Sequence, residues 1–342
     1  MRCLILETPR DPSTLKLIEQ SLPIPGNDQV RIKMTSMGLN RGDLLYCQGR
    51  YFFQSPENSR IGFEGAGTID ALGNKLDNSD FKIGDRVALL PMSFDISSQG
   101  CFSDYGVYDT KSIIRSPENV SDDETGSFWM AFLTAWGGMV ECGGLSQNET
   151  VVITAASSSV GIAAIQIAKM QGANVIATSN HESKSQALFD NGADEVIVFP
   201  SNLTGEELSK TNENYVNKVR VFTHGKGSDL VFDAVAGPAS HGLVKASTQG
   251  GRIIIQGMLD CRPMDIHAGV LMKRRLSLRG YTLDETLDNE EKKLRAIDSI
   301  SKGFNNKQLR SIIAQRHPLS CFDKAFEQLK QNRHIGKILL TP

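Results

Sequence analysis

One stretch of the sequence combines residue types that suit the binding of a phosphate group. Residues 151–173 read VVITAASSSVGIAAIQIAKMQGA, an apolar strand pattern followed by small residues and then an apolar helix pattern. Small side chains at such a turn let an anion approach the N–H groups at the helix N-terminus, where the helix dipole also favours negative charge. The residues expected at this contact are Ala156, Ser158, Ser159, Val160 and Gly161.

Aligned with the dinucleotide-binding pattern G-x-G-x-x-G, the turn keeps only one of three glycines. Ala156 and Ser158 occupy the first two positions and Gly161 occupies the third. Close packing of the helix on the strand, without a ligand, is the alternative explanation of this pattern. The elements around the turn decide between the two.

Six short apolar segments alternate with segments of helical length after Glu149. This alternation predicts a parallel sheet covered by helices on both faces, which is the doubly wound nucleotide-binding fold. The expected strands are Thr150–Thr154, Asn174–Ser179, Glu195–Phe199, Asp229–Val235, Gly251–Gln256 and Arg275–Arg279. The context therefore favours a dinucleotide site at the turn.

The end of the second expected strand indicates which dinucleotide binds. An Asp or Glu there would accept hydrogen bonds from the ribose 2′-hydroxyl of NAD. Here the strand ends in Ser179 and Asn180, and Lys184 follows. A hydroxyl, an amide and a cation suit a 2′-phosphate, so we expect NADPH. A solvated helical lysine is the alternative for Lys184, and nearby Glu182 argues mildly for NADH.

The first 120 residues have a different pattern, of short strands separated by glycine turns. This pattern predicts a compact, barrel-like β domain. The expected strands are Val30–Met34, Gly65–Asp70, Arg86–Leu90 and Gly100–Tyr108. Ser121 and Glu124 form a capping-box pattern that starts a buried helix between two domains. Near the C-terminus we expect helices at Asn289–Gly303 and Cys321–Gln331 and a strand at Lys337–Leu340.

Composition excludes several classes of function. The 342 residues carry 37 Lys+Arg and 39 Asp+Glu, and a net charge of −2 provides no overall basic field for nucleic acid or an anionic membrane. We expect no signal peptide and no membrane span, since no apolar run approaches the ~18 residues that a span requires. The six cysteines are widely spaced and suit a reducing cytoplasm.

Seven segments carry a family resemblance along nearly the whole chain. They are GLNRGDLLYCQGRY (38–51), GFEGAGTI (62–69), FKIGDRVA (81–88), FLTAWGGM (132–139), TAASSSVGIAAIQIAK (154–169), GGRIIIQGM (250–258) and GKILL (336–340). In this order they resemble the medium-chain dehydrogenase/reductase superfamily, in its zinc-independent, zeta-crystallin-like quinone oxidoreductase branch. The resemblance implies an α/β protein with a GroES-like catalytic domain at 1–123 and 284–342 and a Rossmann NADP-binding domain at 124–283.

The resemblance also bears on metal binding. Zinc-dependent members place a ligand Cys at the position of Asn40 and a ligand His at that of Phe63. Phenylalanine cannot bind zinc, and an amide is a poor zinc ligand. The closely spaced cysteines of a structural zinc lobe are also absent from the sequence. We therefore expect no metal site, and a structural hydrogen bond for the retained Glu64.

Three residues are candidates for catalysis. The resemblance places Asn40 near the nicotinamide and Tyr46 and Tyr51 near the substrate, and enoyl-thioester reductases use a tyrosine matching Tyr51 as the proton donor. A tyrosine of ordinary pKa stays protonated at neutral pH and can donate. An amphipathic residue on the rim of a domain is the alternative for each tyrosine. Asp43 matches a family position and equally suits a turn cap.

Three further cofactor contacts are implied by the resemblance alone. Thr134 matches a residue near the nicotinamide ribose or ring, Gly257 a backbone contact to the carboxamide, and Lys337 a position near the cofactor phosphates. An interior hydroxyl, a turn glycine and a solvated lysine are the respective alternatives.

The predicted function is hydride transfer from NADPH to a quinone or an α,β-unsaturated carbonyl compound. An enoyl-thioester reductase and a non-catalytic NADPH-binding protein, such as a sensor or an RNA-binding protein, are the alternatives. The resemblance further implies a homodimer formed through the edge strand at LSLRGYTL, with no nucleic-acid or membrane partner.

Overall fold

The computed structural model describes residues 1–76 and 80–342 and divides the chain into two compact units. The first unit contains Met1–Met130 and Arg310–Pro342, and the second contains Ala131–Leu309. The sequence predicts the same interrupted arrangement, with divisions after residues 123 and 283 instead. The second division lies later because the helix Glu290–Asn305 packs within the second unit, where the ring of Phe304 lies 5.0 Å from that of Phe132.

The secondary structure of the described residues is as follows. The strands are β1 (Arg2–Leu6), β2 (Leu15–Glu19), β3 (Gln29–Leu39), β4 (Ser59–Arg60), β5 (Gly65–Leu72), β6 (Arg86–Leu89), β7 (Tyr105–Asp109), β8 (Ile113–Arg115), β9 (Thr150–Ile153), β10 (Asn174–Ser179), β11 (Glu195–Val198), β12 (Ser228–Asp233), β13 (Ser247–Ile255), β14 (Ser277–Gly280), β15 (Ile313–Pro318) and β16 (Lys337–Thr341). The α-helices are α1 (Arg41–Cys47), α2 (Ile96–Gln99), α3 (Asp122–Thr125), α4 (Trp129–Trp136), α5 (Ser159–Met170), α6 (Ser185–Asp190), α7 (Gly205–Phe222), α8 (Ser240–Ala246), α9 (Ala268–Arg274), α10 (Asp284–Leu287), α11 (Glu290–Asn305) and α12 (Phe322–Gln331).

The first unit is a β domain, as its turn-rich sequence predicts. In the described residues, β2-β1-β4 form one sheet and β15-β16-β3-β5-β6-β8 form another, in which β7 also pairs with β3. Strand β3 alternates buried and more exposed residues along its first half, which is the pattern of a half-buried strand. Its buried side chains join those of β16 in one hydrophobic core.

The second unit contains a parallel sheet in the order β11-β10-β9-β12-β13-β14. Strands β9, β10 and β12 carry buried residues at nearly every position, because helices cover both faces of such a sheet. The strand order reverses between β9 and β12, and ligands of doubly wound folds bind at the carboxyl ends of the strands at this point. The predicted fold is confirmed.

Several predicted elements differ in extent from the structure. Residues 100–104 lie outside β7, and Gly100 instead packs so closely on the backbone of Ile61 that a Cβ would lie 2.5 Å from its nitrogen. The strand expected from Arg275 begins at Ser277, because Arg275 adopts a φ of 53° and ends α9. The polar segment 202–217 predicts a surface loop followed by the start of a helix, whereas α7 already begins at Gly205.

No helix in the described ranges is both long enough and apolar enough to span a bilayer.

Candidate active site

The turn between β9 and α5 is built by capping and by one close backbone approach. The hydroxyl of Ser158 accepts the N–H of Gly161 at 3.0 Å and caps α5. A Cβ at Gly161 would lie 2.5 Å from the Cα of Ala156, so only glycine lets the helix start this close to the strand. The N–H of Ala156 donates to the carbonyl of Thr178 at 2.9 Å and fixes the turn to β10.

This geometry assigns separate roles to the residues predicted at the turn. The first N–H groups of an α-helix have no acceptor within the helix. Ser158 accepts one of them and therefore acts as a cap, leaving the N–H groups of Ser159 and Val160 for an anion. Gly161 lets the helix pack closely on the strand, which was the ligand-free explanation of the pattern. Such packing is compatible with anion binding at Ser159 and Val160.

Lys184 lies against the same turn and is not a solvated surface lysine. It is only 7% exposed, and its ammonium donates to the hydroxyl of Ser157 at 3.3 Å. Burial lowers the pKa of Lys184. The structure thus brings the predicted cation of the β10–α6 segment to the predicted phosphate turn, through a serine that the sequence analysis did not single out.

The end of β10 holds the other two residues predicted near a 2′-phosphate. Ser179 is buried, and its hydroxyl accepts the N–H of His181 at 3.4 Å and donates to the His181 carbonyl at 3.2 Å. Asn180 is exposed beside it. The hydroxyl of Ser179 therefore shapes the strand end, whereas the side chain of Asn180 is accessible.

A buried carboxylate that sequence reasoning missed organises the neighbouring strand ends. Asp233, at the end of β12, accepts the hydroxyl of Thr154 at 2.6 Å and the N–H groups of Val235 and Ala236 at 2.9 and 3.1 Å. Burial raises the pKa of Asp233. The sequence did contain a signal for this site, which is the acidic residue at the end of the segment SDLVFD. Its bonds fix the loop after β12 where the strand order reverses.

Two further predicted cofactor residues lie in the second unit. Gly257 follows β13, and a Cβ there would lie 2.9 Å from the carbonyl oxygen of Ala234, in the loop that Asp233 holds. Thr134 is half-buried on α4. Their predicted contacts with a nicotinamide stay predictions.

In the first unit, Asn40, Glu64 and Lys337 form a buried polar cluster. The ammonium of Lys337 donates to the side-chain oxygen of Asn40 at 2.6 Å and to the carboxylate of Glu64 at 2.7 Å. The amide of Asn40 donates to the carbonyl of Gly38 at 3.1 Å and to Glu64 at 3.3 Å. Lys337 is 2% exposed, so the solvated-lysine alternative is wrong.

Glu64 links this cluster to the start of α4. Its second carboxylate oxygen accepts the N–H of Met130 at 2.7 Å. Gly38 makes room for the carboxylate, because a Cβ at that position would lie 2.5 Å from it. The structural hydrogen bond predicted for Glu64 is present, and an ion pair accompanies it.

Asp43 caps α1, the helix that carries Tyr46. Its carboxylate accepts the N–H of Asn40 at 2.7 Å and that of Phe63 at 3.1 Å, and it is fully buried. Burial raises the pKa of Asp43 to about 7, against the lowering effect of these bonds and of the charge on Lys337. Asp43 therefore acts as a cap, which is the alternative given for it above.

The two tyrosines occupy different environments. Tyr46 is 1% exposed, and its hydroxyl is hydrogen-bonded to Ser59 at 2.8 Å. Burial also raises the pKa of Tyr46. Tyr46 is therefore a core residue and not the rim residue given above as the alternative, and its hydroxyl faces Ser59 and not solvent.

Tyr51 is partly exposed and belongs to an aromatic cluster. Its ring centroid lies 5.0 Å from that of Phe63 and 5.1 Å from those of Phe52 and Phe53. Its hydroxyl points to the sulfur of Met92 at 3.8 Å. Phe52 is 77% exposed, so the cluster presents an apolar surface beside the partly exposed Tyr51.

Two families of known proteins match parts of the chain. Residues 26–154 match the family described as the alcohol dehydrogenase GroES-like domain, and residues 159–301 match that described as zinc-binding dehydrogenase. A quinone oxidoreductase from Sus scrofa is 27% identical over 332 residues, which cover 96% of this chain and 94% of that protein. The chain therefore belongs to the medium-chain dehydrogenase/reductase superfamily, in its zeta-crystallin-like branch.

Solved structures agree on the fold. An NAD-dependent alcohol dehydrogenase superposes with a TM-score of 0.88 at 27% identity, covering 100% of both chains. An Escherichia coli quinone oxidoreductase complexed with NADPH superposes with a TM-score of 0.86 at 20% identity, also covering 100% of both chains.

Other relatives are much longer than this chain. A highly reducing polyketide synthase from Aspergillus niger is 28% identical over 327 residues, which are 94% of this chain and 12% of that protein. The chain thus spans about an eighth of the length of such relatives.

One of the two family descriptions names zinc. Within 1–76 and 80–342, no group of three or more His, Cys, Asp or Glu side chains is arranged to hold a metal ion. Asn40 is bound by the ammonium of Lys337, and Phe63 is a fully buried ring.

Proposed function

We propose that the protein is an NADPH-dependent reductase of quinones or α,β-unsaturated carbonyl compounds. The observation that carries the proposal is the contact between Lys184 and Ser157, because it places a buried cation at a dinucleotide-type turn. The membership in the dehydrogenase/reductase superfamily supports hydride transfer as the reaction. The scattered cysteines of the sequence support a cytoplasmic location.

The residues at the turn fit a dinucleotide with a 2′-phosphate. The N–H groups of Ser159 and Val160 suit the pyrophosphate, and the close packing at Gly161 keeps the helix start next to the strand. Lys184 and Asn180 suit the 2′-phosphate. The quinone oxidoreductase from Escherichia coli was solved with NADPH, whereas the alcohol dehydrogenase is described as NAD-dependent, so cofactor choice rests on Lys184.

Bound NADPH supplies a hydride to the acceptor. Among this chain's residues, Tyr51 is the better candidate for the proton that an enone or quinone then requires, because it is partly exposed whereas the hydroxyl of Tyr46 faces Ser59 in the core. Conjugated acceptors suit such donors, since the developing charge spreads into an enolate or phenolate that ordinary hydrogen bonds stabilise. The side-chain oxygen of Asn40 is hydrogen-bonded to Lys337 and its side-chain nitrogen to Glu64. Asn40 is therefore assigned a positioning role.

A panel of acceptors tests the proposal. We expect NADPH oxidation with quinones and enones, and slower oxidation of NADH with the same acceptors. Thermal shift with each nucleotide, measured first, separates binding from turnover. Stabilisation by NADPH with no turnover on any acceptor would contradict the reductase assignment, while leaving the cofactor assignment standing.

An enoyl-thioester reductase is the second candidate. The similarity to a highly reducing polyketide synthase over 94% of this chain favours it, because polyketide intermediates are carried as thioesters. Crotonyl thioesters in the same panel discriminate the two. A kcat/KM on the thioester well above that on every quinone and free enone would favour this second function.

A further inference from the structure

A recess in the second unit is lined by four cationic side chains that the proposed function does not use. It has a volume of about 370 Å³, which is within the size of small-molecule sites. Its lining residues are Arg220, Gly225, Lys226, Ser247, Thr248, Gln249, Lys273 and Arg274.

Four separate elements bring these residues together. Arg220 lies in the last turn of α7, and Lys226 lies in the loop before β12. Lys273 and Arg274 end α9, and residues 247–249 begin β13. Parallel strands all begin at one edge of a sheet, so the recess lies at the amino-terminal edge. The candidate dinucleotide turn lies at the carboxyl ends, and the two sites are distinct.

The positive charge in the recess is largely uncompensated. Lys226 pairs with Asp229 at 2.8 Å, and Arg274 donates to the carbonyl of Ser247. Among the residues that the structure describes, no carboxylate lies within ion-pair distance of Arg220, Lys273 or Arg274. Burial, together with the charge of Arg220, lowers the pKa of Arg274.

Helix capping explains part of this arrangement. Cations in the last turn of a helix are favoured by the helix dipole, which accounts for Arg220 on α7 and for Lys273 and Arg274 on α9. The dipole does not require that two helices and a loop direct their cations into one concavity. Nor does it account for the Thr248 hydroxyl and Gln249 amide between them, which are donors suited to phosphoryl oxygens.

We propose that this recess binds a small molecule carrying at least two phosphoryl groups. Guanidinium groups match phosphate oxygens in pairs, and ammonium groups add point charge. Arg220 and Arg274 would share one phosphoryl group, and Lys226 and Lys273 another. Binding at the recess requires neither the cofactor site nor turnover.

Calorimetric titration of the full chain with pyrophosphate, ADP and inorganic phosphate tests this. One equivalent of NADPH is present throughout, so that the turn before α5 is occupied and no excess dinucleotide competes for the recess. We expect pyrophosphate and ADP to bind roughly tenfold more tightly than phosphate, because a second charge-assisted contact is made. Equal affinities for pyrophosphate and ADP would assign the site to the phosphoryl groups alone, and tighter binding of ADP would add a nucleoside contact.

A double variant and a matched control locate the binding. Arg220→Gln with Lys273→Gln removes two charges from the recess, and Lys218→Gln with Lys245→Gln removes two exposed charges from the same unit. We expect at least a tenfold loss of pyrophosphate affinity in the first and less than a twofold loss in the second. Equal losses in both variants would overturn the proposal. So would binding of oligoglutamate without binding of pyrophosphate, which would make the recess a protein contact.

Discussion

The ammonium of Lys337 lies 2.7 Å from the carboxylate of Glu64, and each side chain is 1% exposed. This pair joins the last strand of the chain to the segment before β5 and orients the amide of Asn40 between them. A lysine in this position cannot contact a cofactor phosphate without leaving Glu64 as a buried, unpaired charge. The cofactor contact predicted for Lys337 is therefore not what its surroundings favour, and we assign it a positioning role.

Replacing Lys337 with methionine tests that role. The variant leaves Glu64 charged and buried, and we expect the free energy of unfolding of the protein to fall by about 3–5 kcal/mol. Urea unfolding measures the loss. The double variant Lys337→Met with Glu64→Gln should recover part of it, because no charge is then buried.

The same variant separates the two roles of Lys337. A loss below about 1 kcal/mol, as for an exposed ion pair, would contradict the positioning role. If NADPH affinity fell sharply while stability stayed unchanged, the phosphate contact implied by the resemblance would be supported instead.

Asp43 predicts a pH dependence of stability. Burial raises its folded-state pKa to about 7, so the folded state holds the proton more tightly than the unfolded state. The stabilising contribution is therefore full below the ordinary carboxyl pKa and is lost as the pH rises towards 7. We expect the Asp43→Asn variant to lose less stability than the wild type between pH 5 and pH 8, by urea unfolding.

The control for this measurement is Asp284→Asn, which removes an exposed carboxyl group. Its profile should follow that of the wild type. A wild-type profile no steeper than that of Asp43→Asn would show that the two N–H donors and Lys337 keep Asp43 ionised.

The sequence predicted the fold well because the fold depends on repeating patterns. Apolar runs in β9, β10 and β12, and the helix start at Ser158, are local features that tertiary contacts reinforce. The site was harder to predict, because its contacts join distant residues. Lys337 and Glu64 are 273 positions apart, and no local pattern distinguishes a buried lysine from a solvated one on a strand.

The tyrosines show the same limit at shorter range. Tyr46 and Tyr51 are five positions apart, and α1 turns the first into the core beside Ser59 while the second follows the helix end. The family resemblance assigned both to the site. Asp233 and Ser157 were missed, because their contacts with Thr154 and with Lys184 join separate elements of the chain.

Tyr51 predicts a substrate-dependent loss of activity. In Tyr51→Phe, we expect kcat on enones or crotonyl thioesters to fall by roughly 10²–10⁴, because a proton must be placed on carbon in the same reaction. Loss on quinones should be small, since their oxygens take protons readily from water. Steady-state kinetics on both acceptor classes measure the difference.

Tyr46→Phe is the matched control. Removing its hydroxyl leaves Ser59 without this partner and should lower stability by about 1 kcal/mol, with little change in kcat. Equal loss of kcat in both variants would contradict the assignment of the proton to Tyr51.

Lys184 predicts the preference for NADPH. In Lys184→Met, we expect the Kd for NADPH to rise by about 10- to 100-fold, since a charge-assisted contact to the 2′-phosphate is lost. The Kd for NADH should change by less than about twofold. Titration with both nucleotides measures this, and Lys218→Met, at an exposed position, is the control. Equal weakening of NADPH and NADH would instead indicate that Lys184 only supports the turn at Ser157.

Strand β14 predicts a homodimer. It ends the parallel sheet, and all four of its residues, Ser277–Gly280, are exposed. An exposed edge strand is a template for pairing with a second copy, and a lysine on such an edge opposes pairing. We expect twice the chain mass of 37.4 kDa by light scattering, and a monomer for Leu278→Lys. Leu294→Lys, at a 56% exposed position on α11, should stay dimeric. A wild-type protein that is monomeric at every concentration would contradict the prediction, and a dimer unaffected by Leu278→Lys would place the interface elsewhere.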